Sequence, residues 1–288
     1  MKILVAGGSG FIGSHLLPKL VEAGHETYNL VRGVNATARA GVISIPCDLR
    51  QMESCNLPTV DVVVHLAQSN IRFPEGADDL LTINCVSAVR LALAAIAGGA
   101  RKFIYCSTGN VYGLNALPRQ ETDPLLGGGF YAESKIAAEK MLLELKQKIS
   151  IDILRVFTPY GPKQQLFRLI PDVVSRVQDG RPVSTRDNRM PLLSPLYVDD
   201  AVAAIMARVA SSDENILNLA GDLVFSVEDI ARLAGTILGR EPVFETIKDT
   251  LSGGISADNT KMRALLGRAC IPLAQGLGNY IAWRQNHE

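Results

Sequence analysis

The chain has 288 residues, 47% hydrophobic and 20% charged, with Lys+Arg and Asp+Glu both at 29. That length suits one large α/β domain or a nucleotide-binding domain with a smaller lobe. The balanced charge, without a basic stripe, a charge block or a low-complexity tract, excludes nucleic acid as an expected partner and a disordered tail.

Residues 3–6 read as a short strand ending in glycines. Residues 11–23 read as a helix with Phe11, Ile12, Leu16, Leu20 and Val21 on one apolar side. Strands follow at 27–31, 42–46 and 60–66, the last apolar almost throughout, which suits a sheet covered on both faces. A helix over 79–97, a strand over 102–107, a helix over 131–148 and a strand over 152–157 continue the alternation. This order predicts a doubly wound parallel sheet. Beyond it come helices at 169–178, 198–209 and 226–238, the last opened by a Ser-x-x-Asp cap at Ser226. A short strand at 216–219 lies between the second and third of these. The predicted division is a Rossmann domain of 1–157, joined by about 194–219, and a smaller C-terminal substrate lobe of 158–193 and 220–288.

The apolar run at the start covers about four residues, short of a signal-peptide core of roughly 7–15. The longest aliphatic stretch, 91–97, is shorter than the ~18 residues of a membrane span. Neither a leader nor a membrane partner is expected. Cys47, Cys55, Cys85, Cys106 and Cys270 are scattered and odd in number, and the four histidines are dispersed. They read as reduced thiols of a cytoplasmic protein with no metal site.

Gly7, Gly10 and Gly13, with Ser9, Phe11 and Ile12 between and beside them, stand between the first strand and the first helix. The first two glycines permit a tight turn and close approach to a pyrophosphate, and the third permits close helix–strand packing. The helix start offers N–H groups and a positive dipole end to the anion. An acid commonly ends the second strand and binds the ribose 2′-OH of NAD. Here that strand ends Tyr28-Asn29-Leu30-Val31-Arg32. Arg32 either pairs with a 2′-phosphate, which its guanidinium matches, or is a solvated strand end; the reading favours NADP within an NAD(P) assignment. Asp48 and Leu49 are candidate adenine contacts.

Tyr131 and Lys135 are four apart at a helix start, so both lie on one face. A lysine ammonium favours the phenolate, which readies a tyrosine for proton transfer to a carbonyl or hydroxyl. Thr108 ends the strand of 102–107, at the edge where ligands gather in open α/β sheets, and is placed to hold a substrate oxygen.

Taken in order, Gly7 to Gly13, Val64-His65-Leu66-Ala67, Asn84, Ser107-Thr108 with Val111-Tyr112-Gly113, Tyr131 to Lys135, Leu154-Arg155 with Tyr160-Gly161-Pro162, and Tyr197-Val198-Asp199-Asp200 resemble the NAD-dependent epimerase/dehydratase family of extended short-chain dehydrogenases. The resemblance implies bound NAD(P), a nucleotide-sugar substrate and a homodimer formed through the helices of 79–97 and 131–148. It implies Tyr131 as acid/base, Lys135 as the residue that orients the ribose and tunes Tyr131, and Thr108 as substrate holder. It adds Leu66, Ala67, Gln68, Asn84, Ser107 and Thr158 to the cofactor contacts.

The departures narrow the expectation. Sugar 4,6-dehydratases of the family carry an Asp-Glu pair after the catalytic Thr, and related decarboxylases a Glu at the second position; here stand Gly109 and Asn110. The family's diphosphate-binding Arg, four residues before Tyr197, is Leu193. Arg181, Arg186 and Arg189 either replace it or are solvated loop charges. Gln68 stands for a common Ala and Thr158 for a common Asn. Asn110, Arg186 and Arg189 are the candidate substrate contacts. The expected activity is 4-epimerisation or 4-keto reduction of a sugar. The alternatives are NADPH-dependent reduction of a non-nucleotide carbonyl compound and a non-catalytic NAD(P) sensor.

Overall fold

A computed structural model describes residues 1–33, 39–115, 117–248 and 253–287. Its chain divides into two compact units: 1–111, 125–155 and 202–217 form the first, and 112–124, 156–201 and 218–288 the second.

The first unit is built on β1 (Lys2–Ala6), β2 (Glu26–Val31), β3 (Val42–Pro46), β4 (Val62–His65), β5 (Lys102–Thr108), β6 (Ser150–Val156) and β10 (Asn215–Leu219). They form a sheet of order β10-β6-β5-β4-β1-β2-β3, parallel at every pair from β3 across to β5. The order reverses between β1 and β4, and crevices outside the carboxyl ends at such a reversal bind ligands in open α/β sheets. The doubly wound expectation holds. β4 and β5 are buried throughout, as strands covered on both faces must be.

Helix α1 (Phe11–Glu22) carries Pro18 in its interior. Proline cannot donate to Ser14, and the Arg39 guanidinium donates to the Ser14 carbonyl instead, at 3.0 Å. Helices α2 (Ala77–Leu81) and α3 (Ser87–Ala97) are joined by a π-helical turn, Thr82–Val86. The continuous helix of 21 residues is long and apolar enough to cross a membrane, longer than the aliphatic stretch alone suggests. Its Leu80, Cys85, Ala88, Leu91, Ala92 and Ala95 are buried, the last five of them in one core with Val63, Phe103 and Tyr105 of the sheet, as in a core helix. Helix α4 (Phe130–Leu143) ends five residues before the expected 148, in hydrogen-bonded turns.

The reduced-thiol reading is corrected at one pair: Cys47 and Cys55 form a disulfide, their Cα atoms 5.1 Å apart. The 3-10 turn Met52–Ser54 folds the chain back onto the end of β3, a proximity that scattered spacing does not reveal. Cys85, Cys106 and Cys270 are free and buried.

The second unit holds β7 (Pro159–Tyr160) paired with β9 (Leu196–Tyr197), β8 (Val183–Thr185) paired with β11 (Phe244–Thr246), and α5 (Leu169–Asp179), α7 (Val227–Leu238), α8 (Thr260–Leu266) and α9 (Leu273–Gln285). Helix α6 (Val198–Ala210) begins in this unit and ends in the first. The Ser226 cap is present: its hydroxyl accepts from Asp229 N–H, and the Asp229 carboxylate accepts from Ser226 N–H. Tyr160, Tyr197, Leu277 and Tyr280 share this unit's core. Two segments fall in the other unit from the sequence reading, besides shifts of two residues at 155 and 217. Residues 112–124 join this unit through bridges of Asn115 to Gly254 and Arg119 to Ala257. Residues 194–201 join it through the β7–β9 pair.

Candidate active site

The loop after β1 is shaped by steric limits. Gly7 has φ +88°, in the left-handed region, and a Cβ there would lie 2.5 Å from the Ala67 backbone nitrogen. A Cβ on Gly13 would lie 2.4 Å from the Gly7 carbonyl oxygen, so α1 packs against the turn only with glycine there. Ser9 and Gly10 are exposed. Beside them the first-turn N–H groups of α1, at Phe11 and Ile12, lack partners within the helix. A narrow backbone cradle at a helix N-terminus, at the sheet's reversal, fits a dinucleotide pyrophosphate. Sequence reasoning missed Gly8: its N–H donates to the Asn29 side-chain oxygen at 3.1 Å, and a Cβ would lie 2.3 Å from that oxygen. Asn29 of β2 thus fastens the loop from below.

Arg32 is exposed just past β2, while Val31 before it is buried. Asp48 accepts from Arg50 N–H at 3.0 Å, and Leu49 packs against the core. Both sit inside the disulfide-closed segment.

Asn84 is fully buried in the π-helical turn. Its side chain accepts from Ser69 N–H at 2.8 Å and donates to the Ser69 carbonyl at 3.0 Å and the Ser134 hydroxyl at 3.1 Å. Its own carbonyl accepts from the Tyr105 hydroxyl at 2.6 Å. The widened turn aims the side-chain amide at the loop after β4 and at α4, and the backbone carbonyl at β5. The structure thus places Asn84 as the clamp behind Leu66, Ala67 and Gln68.

Lys135 is fully buried on α4. Its ammonium donates to the Cys106 carbonyl at 2.7 Å and stands 4.4 Å from the centre of the Tyr105 ring. Burial pushes its pKa down to about 8, against a smaller opposing pull from Cys106 and Glu139. Burial and the nearby Lys135 hold His65 neutral, its pKa lowered to about 3. The Tyr131 hydroxyl, one turn before Lys135, donates to the Gln68 side-chain oxygen at 3.0 Å. Thr108 ends β5, its hydroxyl oxygen accepting from Asn110 N–H at 3.3 Å. The Ser107 hydroxyl donates to Glu139. Glu139 is buried and paired with Arg155, whose Nη2 lies 2.7 Å from it. This Ser107–Glu139–Arg155 support was not foreseen as a unit.

The remaining candidates lie in the second unit. Thr158 has φ +36°, rare for a β-branched residue, and its carbonyl accepts from Leu196 N–H at 3.1 Å. Arg189 pairs with Asp229 and donates to Ser226 at 3.3 Å, so it braces the start of α7. The Arg186 carbonyl accepts from Arg189 N–H at 2.9 Å. Leu193 is buried and exchanges backbone hydrogen bonds with Phe225.

A parallel sheet of Rossmann order, a glycine cradle at its reversal and a Tyr-x-x-x-Lys helix define a short-chain dehydrogenase/reductase type of nucleotide-binding enzyme. The chain belongs to the NAD dependent epimerase/dehydratase family, which it matches over residues 3–220. It is 27% identical to dTDP-glucose 4,6-dehydratase of Streptomyces griseus, over 99% of this chain and 94% of the relative. Among solved structures, MoeE5 in complex with UDP-glucuronic acid and NAD is 25% identical, with TM-score 0.88 over all of both chains. UDP-glucose 4-epimerase of Thermotoga maritima with UDP-glucose is 26% identical, with TM-score 0.87, also over all of both chains.

Proposed function

We propose that this enzyme interconverts a hydroxyl and a keto group on a nucleotide-linked sugar, as a 4-epimerase or 4-keto reductase and not as a 4,6-dehydratase. The observation that carries this reading is the turn after Thr108. A tyrosine and lysine suited to proton transfer stand beside it, yet Gly109 and Asn110 supply no ionisable group for eliminating water. UDP-glucose with the epimerase and UDP-glucuronic acid with MoeE5 support a nucleotide sugar as the substrate class.

A bound nicotinamide supplies the hydride acceptor or donor. The chain's own work is then positional and acid–base. The glycine cradle and the α1 start bind the pyrophosphate. Lys135 donates one N–H to Cys106 and would hold the ribose with another. Thr108 holds the substrate oxygen, and Tyr131 delivers or removes its proton. MoeE5 is shown with NAD; for this chain we favour NADP, because buried Val31 offers no acceptor to a 2′-OH and exposed Arg32 offers a cation to a 2′-phosphate. A homodimer through α2, α3 and α4 is supported by the exposed Leu81, Leu93 and Met141 on those helices.

One observation favours a second reading, reduction of a non-nucleotide carbonyl compound. Leu193, at the family's diphosphate-arginine position, is buried and its backbone is engaged on both sides by Phe225.

The test is Tyr131→Phe, with the dinucleotide released on denaturation identified in parallel. The variant should lose about 10²–10⁴-fold in turnover of a UDP- or dTDP-sugar and keep its dinucleotide. Near-normal turnover would remove the acid–base assignment. Failure of UDP and dTDP to bind the cofactor-loaded protein would select the second reading.

A further inference from the structure

We infer that Gln68 is a positioning residue for Tyr131: its side-chain amide oxygen holds the phenol as a protonated donor, so that the resting site is set to give a proton rather than take one. The inference rests on Tyr131 being the acid/base of the proposed reaction.

The geometry is direct. Gln68 follows β4 on the loop that Asn84 clamps through Ser69, one residue further on. The neighbouring backbone is therefore fixed against α4 while the Gln68 side chain remains exposed. From that fixed point the amide oxygen accepts the Tyr131 hydroxyl at 3.0 Å. An amide oxygen accepts and never donates, and it carries no charge at any accessible pH. A hydrogen bond of that kind exists only while the phenol keeps its proton, so it favours the neutral form.

The ionisable groups beside Tyr131 on β4, β5 and α4 act differently. On β4, His65 is neutral; on β5, Tyr105 is buried and its own ionisation is pushed up by burial. On α4, Lys135 favours the phenolate, the Glu139 carboxylate is tied to Arg155 and Ser107, and Glu133 is exposed. Two opposed influences therefore act on one hydroxyl. The lysine draws the proton off, and the glutamine keeps it on. Without the amide oxygen at position 68, the lysine's pull on the phenol would lose this counterweight.

The experiment is a pH titration of the protein carrying ¹³Cζ-labelled tyrosine, with and without NADP⁺. The Tyr131 signal is assigned as the one of seven tyrosines lost in Tyr131→Phe. Gln68→Met keeps the length without the amide oxygen, and it should lower the Tyr131 pKa by about 0.5–1 unit, the worth of one modest hydrogen bond. Gln68→Glu, which places an anion there, should raise it above wild type. The pH profile of kcat/KM should move the same way in each variant. An unchanged or raised Tyr131 pKa in Gln68→Met overturns the inference, including the case in which the amide N–H faces the phenol. Should Gln68→Met fold poorly, Gln68→Ala carries the same expectation. The acid–base reading fails separately, through turnover that survives Tyr131→Phe, and that outcome leaves the titration readable.

Discussion

A buried lysine stands at each end of β5, Lys102 on the strand itself and Lys135 reaching its far end from α4, and the two are compensated in opposite ways. At the start of the strand, Lys102 meets Asp152 at 2.9 Å and donates to the carbonyls of Ser211 and Asp213 at 3.1 and 2.8 Å. Asp152 is held in turn by Arg208, through two contacts of 3.0 Å, and by Asn215 N–H at 2.7 Å. At the far end, Lys135 has one carbonyl and one ring face, and the nearest carboxylate, Glu139, is taken by Arg155 and Ser107. A cation buried without a counter-ion is costly to the folded state. That cost is concentrated at the carboxyl edge of the sheet, the edge where ligands gather in open α/β sheets. The amino end is saturated by a carboxylate and carbonyls, and the carboxyl end is not; under the proposed function a substrate or cofactor would complete the latter.

The largest expected effects would break this contrast if they fell at the wrong end. Asp152→Ala strands two buried cations, Lys102 and Arg208, and should destabilise by about 3–5 kcal/mol, measured by urea unfolding, while turnover per folded molecule stays near wild type. Lys135→Met should do the reverse. It removes an under-compensated charge, so stability holds or rises, while turnover falls by 10²-fold or more, the range typical of a lost proton-transfer partner. Equal stability losses in the two variants would show that both lysines are structural.

A smaller effect concerns the disulfide. Cys47 and Cys55 close a segment of sequence separation 8 that carries Asp48 and Leu49. Loop-closure entropy sets its contribution at about 2–3 kcal/mol. Cys55→Ser should cost that amount and speed hydrogen exchange over 47–55, leaving the starts of β5 and β6 protected. Exchange rising equally at Lys102 and Asp152 would mean that the carboxyl edge is not an independent region.

Much of the ligand end was legible because its signals are local. A glycine triplet between strand and helix, a tyrosine four before a lysine, and Ser226 three before Asp229 each need only a few consecutive residues to state their purpose. What escaped depends on distant segments meeting. Asn29 reaches Gly8 across 21 residues, and Arg155 reaches Glu139 across 16. Asn115 and Arg119 meet Gly254 and Ala257 through isolated bridges that no periodicity announces. Asn84 was marked as a site residue by resemblance alone; its clamp geometry comes from the π-helical turn, and such a turn has no sequence period of its own. Charge alone left Arg186 and Arg189 open between phosphate contacts and solvated loop charges; Asp229, which takes up Arg189, is 40 residues away.

The finest test of the contrast is the pH dependence of stability. The Lys135 pKa is about 8 in the folded protein against 10.5 for an unperturbed lysine. The folded state therefore binds fewer protons than the unfolded chain between those values, and stability rises with pH across that window. Below about pH 8 the burial penalty acts in full; by about pH 9.5 roughly 2 kcal/mol of it should be relieved relative to pH 7. The quantity to measure is the difference in unfolding free energy between wild type and Lys135→Met, because other titrations cancel in it. It should move towards wild type by that amount as pH climbs. Lys102 is also lowered by burial, but Asp152 pulls against the shift, so the corresponding difference for Lys102→Met should climb less over the same range. A steeper slope at Lys102 than at Lys135 would reverse the assignment of which lysine the fold leaves under-compensated.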